Sequence, residues 1–364
     1  MKRRILFSNP RPFVTLGVTA RFDCGDNEDS LTRIPTGCEN VNLLSAQVLQ
    51  EFGIVARKIR KDKSCFVVSA EGGSFTIKKS LDSCANVVFA HDIKEHLAAN
   101  GFGCTDRFRV AVSGKPYVLY DGAVYICSET LSLRESSFSD AKDVCRAVEG
   151  IAQMHRLARG VPLDSVDKAS YDNTFVQIQK DAADIAAIKR RLGSGGTLSD
   201  FDVIFLKNYG FYAEQMKDVI SELGATKVQE YIQTAQTLPT IIHNRLKEET
   251  LLTDGNLLYI TNFTTAKVGY SMLDLVSVIS RYMRENPSDT AVLSVYELLE
   301  VYDKHNPLSV EDVLITRALL RFPFRFVKLL RAYYSKKRTW TPSAILSKMQ
   351  TIVAGQESYY KHIE

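Results

Sequence analysis

The sequence predicts an α+β fold of two lobes: a small strand-rich lobe over about 41–130 and a large helical lobe over about 131–364. Three observations carry this. Short apolar runs with period-two alternation crowd residues 54–127. After Leu131 the apolar residues recur almost throughout at helical spacing. One strand-like island, Leu251-Leu252 and Leu257-Leu258-Tyr259-Ile260 around the turn Thr253-Asp254-Gly255-Asn256, interrupts the helices.

The elements follow in order. Residues 1–40 lack periodicity and are rich in breakers (Pro10, Pro12, Gly17, Gly25, Pro35, Gly37), so an extended arm is expected there. A helix opens near Asn42, carries Leu43, Leu44, Val48 and Leu49, and ends before Gly53. Cys65–Ser69 and Ser74–Lys78 flank Glu71-Gly72-Gly73 and predict a hairpin. Val87–Ala99 predicts a helix stopped by Asn100-Gly101. Strands are expected at Phe108–Val112, Tyr117–Tyr120 and Val124–Cys127. Helices follow at Asp143–Ala158, Asn173–Leu192, Ser199–Leu223, Thr226–Thr237, Ser271–Glu285, Thr290–His305, Glu311–Leu320 and Pro342–Ala354.

Composition narrows the function. Hydrophobic residues make up 45% and charged residues 24%, the balance of a globular chain. With 46 Lys plus Arg against 42 Asp plus Glu, the net charge of +4 is too even to point to nucleic acid. No run approaches the ~18 apolar residues that cross a bilayer. The basic start MKRRILFSNPRPF has only Ile5, Leu6 and Phe7 as its apolar run, so a chain that stays in the compartment of its synthesis is expected. The seven cysteines, all before residue 146 and without a CxxC pair, predict idle or buried thiols in place of a metal or disulfide framework.

A strand-rich lobe, a connector, and a helical lobe holding one hairpin is the element order of a protein-kinase-like or aminoglycoside-phosphotransferase-like fold, whose ligand cleft lies between the lobes. Phosphoryl transfer there needs a strand lysine on the phosphates, a helix carboxylate to position it, an Asp that accepts the proton, and an Asn and a second Asp on Mg²⁺. Lys78 stands where the lysine belongs, with Lys79 equal to it on charge alone. Asp92 and Glu95, three residues apart on the next helix, are the candidates to face it. The loop Thr240-Ile241-Ile242-His243-Asn244-Arg245-Leu246 precedes the second hairpin, and Thr261-Asn262-Phe263 follows it.

At this point the sequence resembles the CotS-type spore coat proteins, relatives of the aminoglycoside phosphotransferases, from about Leu43 to the end. The stretches that carry the likeness are Glu95–Phe102, Gly114–Val118, Leu133-Arg134-Glu135, Ile151–His155, and above all Phe322-Pro323-Phe324-Arg325-Phe326 with Tyr333–Trp340. The resemblance implies a kinase-like fold, synthesis in the mother cell, assembly into the endospore coat, and other coat proteins as partners.

Three positions depart from the transferring relatives, which have His-Gly-Asp in this loop. Arg245 falls where the proton-accepting Asp belongs, Thr250 where the metal-binding Asn belongs, and Asn262 where the metal-binding Asp belongs; Asp274-Leu275 keeps the family's structural pair. A guanidinium accepts no proton, and loss of a general base costs ~10²–10⁴ in rate. Thr250 and Asn262 bring no negative charge for a metal. The expectation is a pseudokinase without catalytic residues, metal or cofactor, in which His243 supports the loop. Lys78 and Arg245 could still hold a nucleotide or other anion without metal, unless Arg245 pairs with Glu248 or Glu249. An active phosphotransferase would instead need Glu248, Glu249 or Asp254 to reach the cleft.

Two other patterns stand out. Arg57, Lys58, Arg60, Lys61 and Lys63 crowd the first strand turn, where a kinase would have a glycine-rich phosphate loop and this chain has no glycine. Arg317, Arg321, Arg325, Lys328 and Arg331 recur at helical spacing among apolar residues, which predicts a solvated helix face over a packed core. An acidic polymer docking on such basic residues would be the weaker alternative. The tyrosines at 333, 334, 359 and 360 suit either partner contacts or core packing.

Overall fold

The computed structural model describes residues 44–364 except 164–170, 226–229, 231–239, 287–290, 336–340, 362 and 364. The described residues fall in one compact unit, Leu44–Glu364. The arm, the predicted helix Thr226–Thr237 and the end of the Tyr333–Trp340 signature lie wholly or mostly outside the described residues.

This unit opens with α1 (Ala46–Glu51), which Ser45 caps, and the strands β1 (Ala56–Asp62), β2 (Cys65–Ala70) and β3 (Gly73–Ser80). After α2 (Cys84–Ala99) come β4 (Val118–Tyr120) and β5 (Ala123–Glu129). These strands form one antiparallel sheet in the order β1-β2-β3-β5-β4. The predicted hairpin is β2–β3, with Lys78 opposite Cys65 on one side and Ile126 on the other.

Period-two alternation gives the sheet two different faces. Phe75, Ile77 and Cys127 join Val48, Leu49 and Phe52 in a small core under α1. Ile126 faces the other way, into the main core with Val87, Ala90, Ile93 and Leu97 of α2. Lys78, adjacent to Ile77, is therefore turned toward α2 and away from the small core.

The predicted strand Phe108–Val112 is reduced to a single bridge, Phe108 with Ser128. Its side chains hold it elsewhere. Arg109 donates Nε to the Phe52 carbonyl at 2.7 Å, and the Lys94 amine sits 3.6 Å from the centre of the Phe108 ring.

The connector forms β6 (Arg134–Glu135), a strand absent from the sequence prediction, which pairs with the second hairpin, β8 (Leu251–Thr253) and β9 (Leu258–Ile260). Two further short strands, β7 (Ile241–Ile242) and β10 (Lys267–Val268), bracket the hairpin. The helices are α3 (Ala141–Leu157), α4 (Thr174–Gly193), α5 (Asp200–Ala225), α6 (Met272–Glu285), α7 (Val295–Asp303), α8 (Val310–Arg321), α9 (Phe324–Tyr334), α10 (Pro342–Ala354) and α11 (Gln356–Lys361). The α7 start moves from the predicted Thr290 to Val295 because Ser294 and Glu297 form a reciprocal capping box there.

The basic stretch 317–331 is two helices and not one, broken at Phe322-Pro323. Its charges are largely taken up within the protein: Arg321 pairs with Glu222, Arg331 with Asp181, and Arg317 lies over the Tyr296 ring. The terminal tyrosines are packing residues. Tyr333 stacks on Phe201 at 3.9 Å, Tyr334 donates to Asp202, and Tyr359 and Tyr360 donate to the carbonyls of Leu320 and Arg321.

One glycine fixes how closely the loop strand approaches its neighbours. Gly269 follows β10, donates to the Thr240 carbonyl at 2.9 Å, and leaves room for no side chain: a Cβ there would lie 2.8 Å from both Asp172 Cβ and Ile242 Cδ1. Ile242 can turn its end away, but the Asp172 Cβ is fixed to the backbone. Gly269→Ala should therefore destabilise the protein by about 1–3 kcal/mol, read as a lower urea midpoint at unchanged slope. An unchanged midpoint would show that the two segments separate freely.

Candidate functional site

The loop after β7 is built around a buried carboxylate. Asp274, at the start of α6 and 2% exposed, accepts the backbone N–H of His243 at 2.6 Å and that of Asn244 at 2.9 Å. It also takes Nε2 of His155 at 3.1 Å, and His155 Nδ1 reaches the Tyr302 hydroxyl at 2.8 Å. Burial alone would raise the Asp274 carboxyl, but the His155 hydrogen bond and charge and the His243 backbone N–H outweigh it and hold it below its ordinary range. Asn244 has φ 63°, a left-handed conformation that Asn tolerates better than most residues, and it donates Nδ2 to the Thr265 carbonyl at 3.2 Å.

His243 is fully buried. Its Nε2 lies 2.8 Å from the Thr261 carbonyl, its Nδ1 accepts the Arg245 N–H at 3.3 Å, and its ring meets Phe263 edge to face. Donor at one nitrogen and acceptor at the other is the neutral imidazole, and burial pushes its pKa down accordingly. His243 thus ties the loop to Thr261 and Arg245 through its two ring nitrogens.

The three altered positions are each engaged within the protein. The Arg245 guanidinium is half-exposed and lies 3.6 Å from Glu249, which Lys247 shares at 3.6 Å. Thr250 is buried, and its hydroxyl lies 3.0 Å from both the Arg245 and the Lys247 carbonyl while accepting the Lys247 N–H. Asn262, at φ 65°, accepts Nζ of Lys78 at 3.0 Å through its side-chain oxygen. Lys79 is exposed, so of the two candidate lysines Lys78 is the one that meets the altered loop.

Of the two residues expected to face Lys78, Glu95 has another partner. Glu95 pairs with Arg107, and Asp92 is half-buried. A third α2 residue, Lys94, is 0% exposed and feels the Lys78 charge; sequence reasoning had not singled it out. Lys94 donates to the Asp106 carboxylate at 2.7 Å and to its carbonyl at 2.8 Å, and Asp106 in turn accepts the Asn262 N–H at 3.1 Å. A chain of contacts therefore runs Lys94–Asp106–Asn262–Lys78. A sequence signal existed, since Lys94 lies between Ile93 and Leu97 on the apolar side of α2, a poor place for an unpaired charge.

The remaining carboxylates also have other partners. Glu248 pairs with Arg281, and Asp254 accepts the amides of Asn256 and Leu257 at 2.8 Å in the hairpin turn. Mg²⁺ requires oxygen ligands with negative charge among them. The donor set does not fit it: the Asn262 oxygen is held by an ammonium, the Thr250 hydroxyl by the loop, and Asp106 by Lys94. No group of three or more potential ligands stands together among the described residues. Nor is any described helix long and apolar enough to cross a membrane.

Sheet, inter-lobe loop and buried Asp274 define the class: a kinase-like fold of the aminoglycoside phosphotransferase type. The solved structures agree. An aminoglycoside phosphotransferase from Alicyclobacillus acidocaldarius superposes with a TM-score of 0.76 at 16% identity, covering 89% of this chain and 96% of that one. An AMP-bound spectinomycin phosphotransferase matches at a TM-score of 0.61 and 11% identity, over 85% and 96% of the two chains. At these identities the likeness is one of fold. Residues 45–364 match the family described as "Spore coat putative kinase YutH", and the chain belongs to it. The resemblance to CotS-type proteins is thereby borne out. No curated protein sequence matches the chain.

Proposed function

We propose that this chain is a pseudokinase of the endospore coat, made in the mother cell and built into the coat as a structural or assembly protein whose partners are other coat proteins. Family membership supports the place in the spore coat. The loss of transfer rests on one observation above all: Lys78, the candidate for the phosphate-binding lysine of this fold, is bound to Asn262, the residue that falls at the metal-binding position. In a transferring relative that position carries a carboxylate for Mg²⁺. Here both groups satisfy each other, and the position of the general base carries Arg245 in contact with Glu249. The buried scaffold of the loop is kept while its chemistry is not.

Calorimetric titration of the full chain with ATP and ADP, each with and without Mg²⁺, tests this. No Mg²⁺-dependent heat and no transfer from labelled ATP are expected. Mg²⁺-dependent binding with turnover would overturn the reading. Binding of equal strength without Mg²⁺ would identify a metal-free anion site, and Lys78→Ala with Arg245→Ala should then abolish it.

A further inference from the structure

The helical part holds a second, separate place for a ligand. α6, α8, α9 and the junction of α10 with α11 line a cavity of about 240 Å³ that opens to solvent, walled by side chains such as Met283, Leu319, Phe322, Phe326 and Tyr360. At ~30 Å³ per water this is room for about eight water molecules, or for a short chain or one ring system.

Three features distinguish it from a packing defect. The Tyr212 hydroxyl lies at this cavity, 2% exposed and without a hydrogen-bond partner among the described residues. The side-chain oxygen of Gln356, also buried at the cavity, has no partner either. Arg284 and Arg325, both exposed to solvent, complete the lining; the Arg325 charge bears on Arg284, neither forms an ion pair among the described residues, and the neighbouring carboxylate Glu285 is taken by Arg281. Tyr212 is close enough to Arg325 to feel its charge. Both arginines also line a depression that reaches Asn244 and Asp274, so they stand between the cavity and the altered loop. Two like charges without a counter-charge, beside an orphan hydroxyl at the mouth of an apolar space, are what an anion with an apolar body would complete.

We propose that this cavity binds a small amphipathic oxyanion. Its carboxylate or phosphate head is held by Arg284, Arg325 and the Tyr212 hydroxyl, its apolar body lies among the Leu319 and Phe326 side chains, and a hydroxyl near the head donates to Gln356. The site does not depend on whether the cleft binds nucleotide.

The full chain is titrated by calorimetry with decanoate, 3-hydroxydecanoate, decyl phosphate and decanol. The anions should bind at least tenfold more tightly than decanol, with 3-hydroxydecanoate ahead of decanoate. The tighter of decanoate and decyl phosphate identifies the head group. Arg284→Ala with Arg325→Ala should reduce anion affinity to that of decanol. Tyr212→Phe is the folding control, because it removes an unpartnered hydroxyl: the ligand-free melting temperature should hold or rise while anion affinity falls several-fold. Equal binding of decanol and the anions, no binding of any probe, or unchanged affinity in the double arginine variant would each overturn the proposal.

Discussion

Asp274→Ala should lower the unfolding free energy by about 3–5 kcal/mol, the range for removing one partner from a buried charged network. The substitution strips the acceptor from three donors at once: the backbone N–H groups of His243 and Asn244, and Nε2 of His155. Each orphaned buried donor costs roughly 1–3 kcal/mol, and the three share one site, so the sum is not additive. Asp274→Asn keeps one acceptor oxygen but turns an amide N–H₂ toward donors, and should fall between wild type and Ala.

The acid limb of stability identifies the carboxylate as the cause. The folded Asp274 holds its proton less readily than an unfolded Asp, whose pKa is about 3.9. The stability it supplies is therefore fully present above that unfolded value and is lost as the pH falls through the depressed folded one. Urea titrations across the acid range should show wild type losing this increment and Asp274→Asn lacking it from the start. Parallel acid limbs would mean that the carboxylate is not ionised in the fold.

How much of this was legible in the sequence depends on the kind of interaction involved. The β2–β3 hairpin, α2 and α10 announce themselves because period, turn and cap all lie within a few residues of each other. Pairing partners distant in sequence do not. β6 is two residues long and exists because β8 lies beside it, more than a hundred positions later. The break between α8 and α9 was hidden by arginines that keep helical spacing across Phe322-Pro323, although Pro323 was in plain view. At the candidate site the altered positions were readable against the expected pattern, because Arg245 accepts no proton and Thr250 and Asn262 bring no negative charge. Their partners were not: Asn262 meets Lys78 across 184 positions, and nothing local selects Glu95 for Arg107 over Lys78. Family likeness supplied the alignment that made the loop interpretable, and charge logic supplied the rest.

Lys94, to which the family likeness did not point and which only its place on the apolar side of α2 betrays, yields the second large effect. Lys94→Met should destabilise the protein by about 3 kcal/mol, because Asp106, 12% exposed, would keep only the Asn262 amide against its carboxylate. Asp106→Asn retains an acceptor for that amide, so the double variant Lys94→Met with Asp106→Asn should be more stable than Lys94→Met alone. Their non-additivity, on the order of 1–3 kcal/mol, measures the pair itself. The alkaline limb supplies the independent readout. Burial pulls the Lys94 amine down to about 8, with Asp106 opposing it, against about 10.4 in the unfolded chain. The folded state thus carries the whole penalty of a buried ammonium below about pH 8 and sheds it as the pH rises toward the unfolded value. Wild type should gain stability across that window relative to Lys94→Met, whose profile there should be flatter. A wild-type profile no steeper than that of the variant would mean that Lys94 keeps an ordinary amine pKa in the fold.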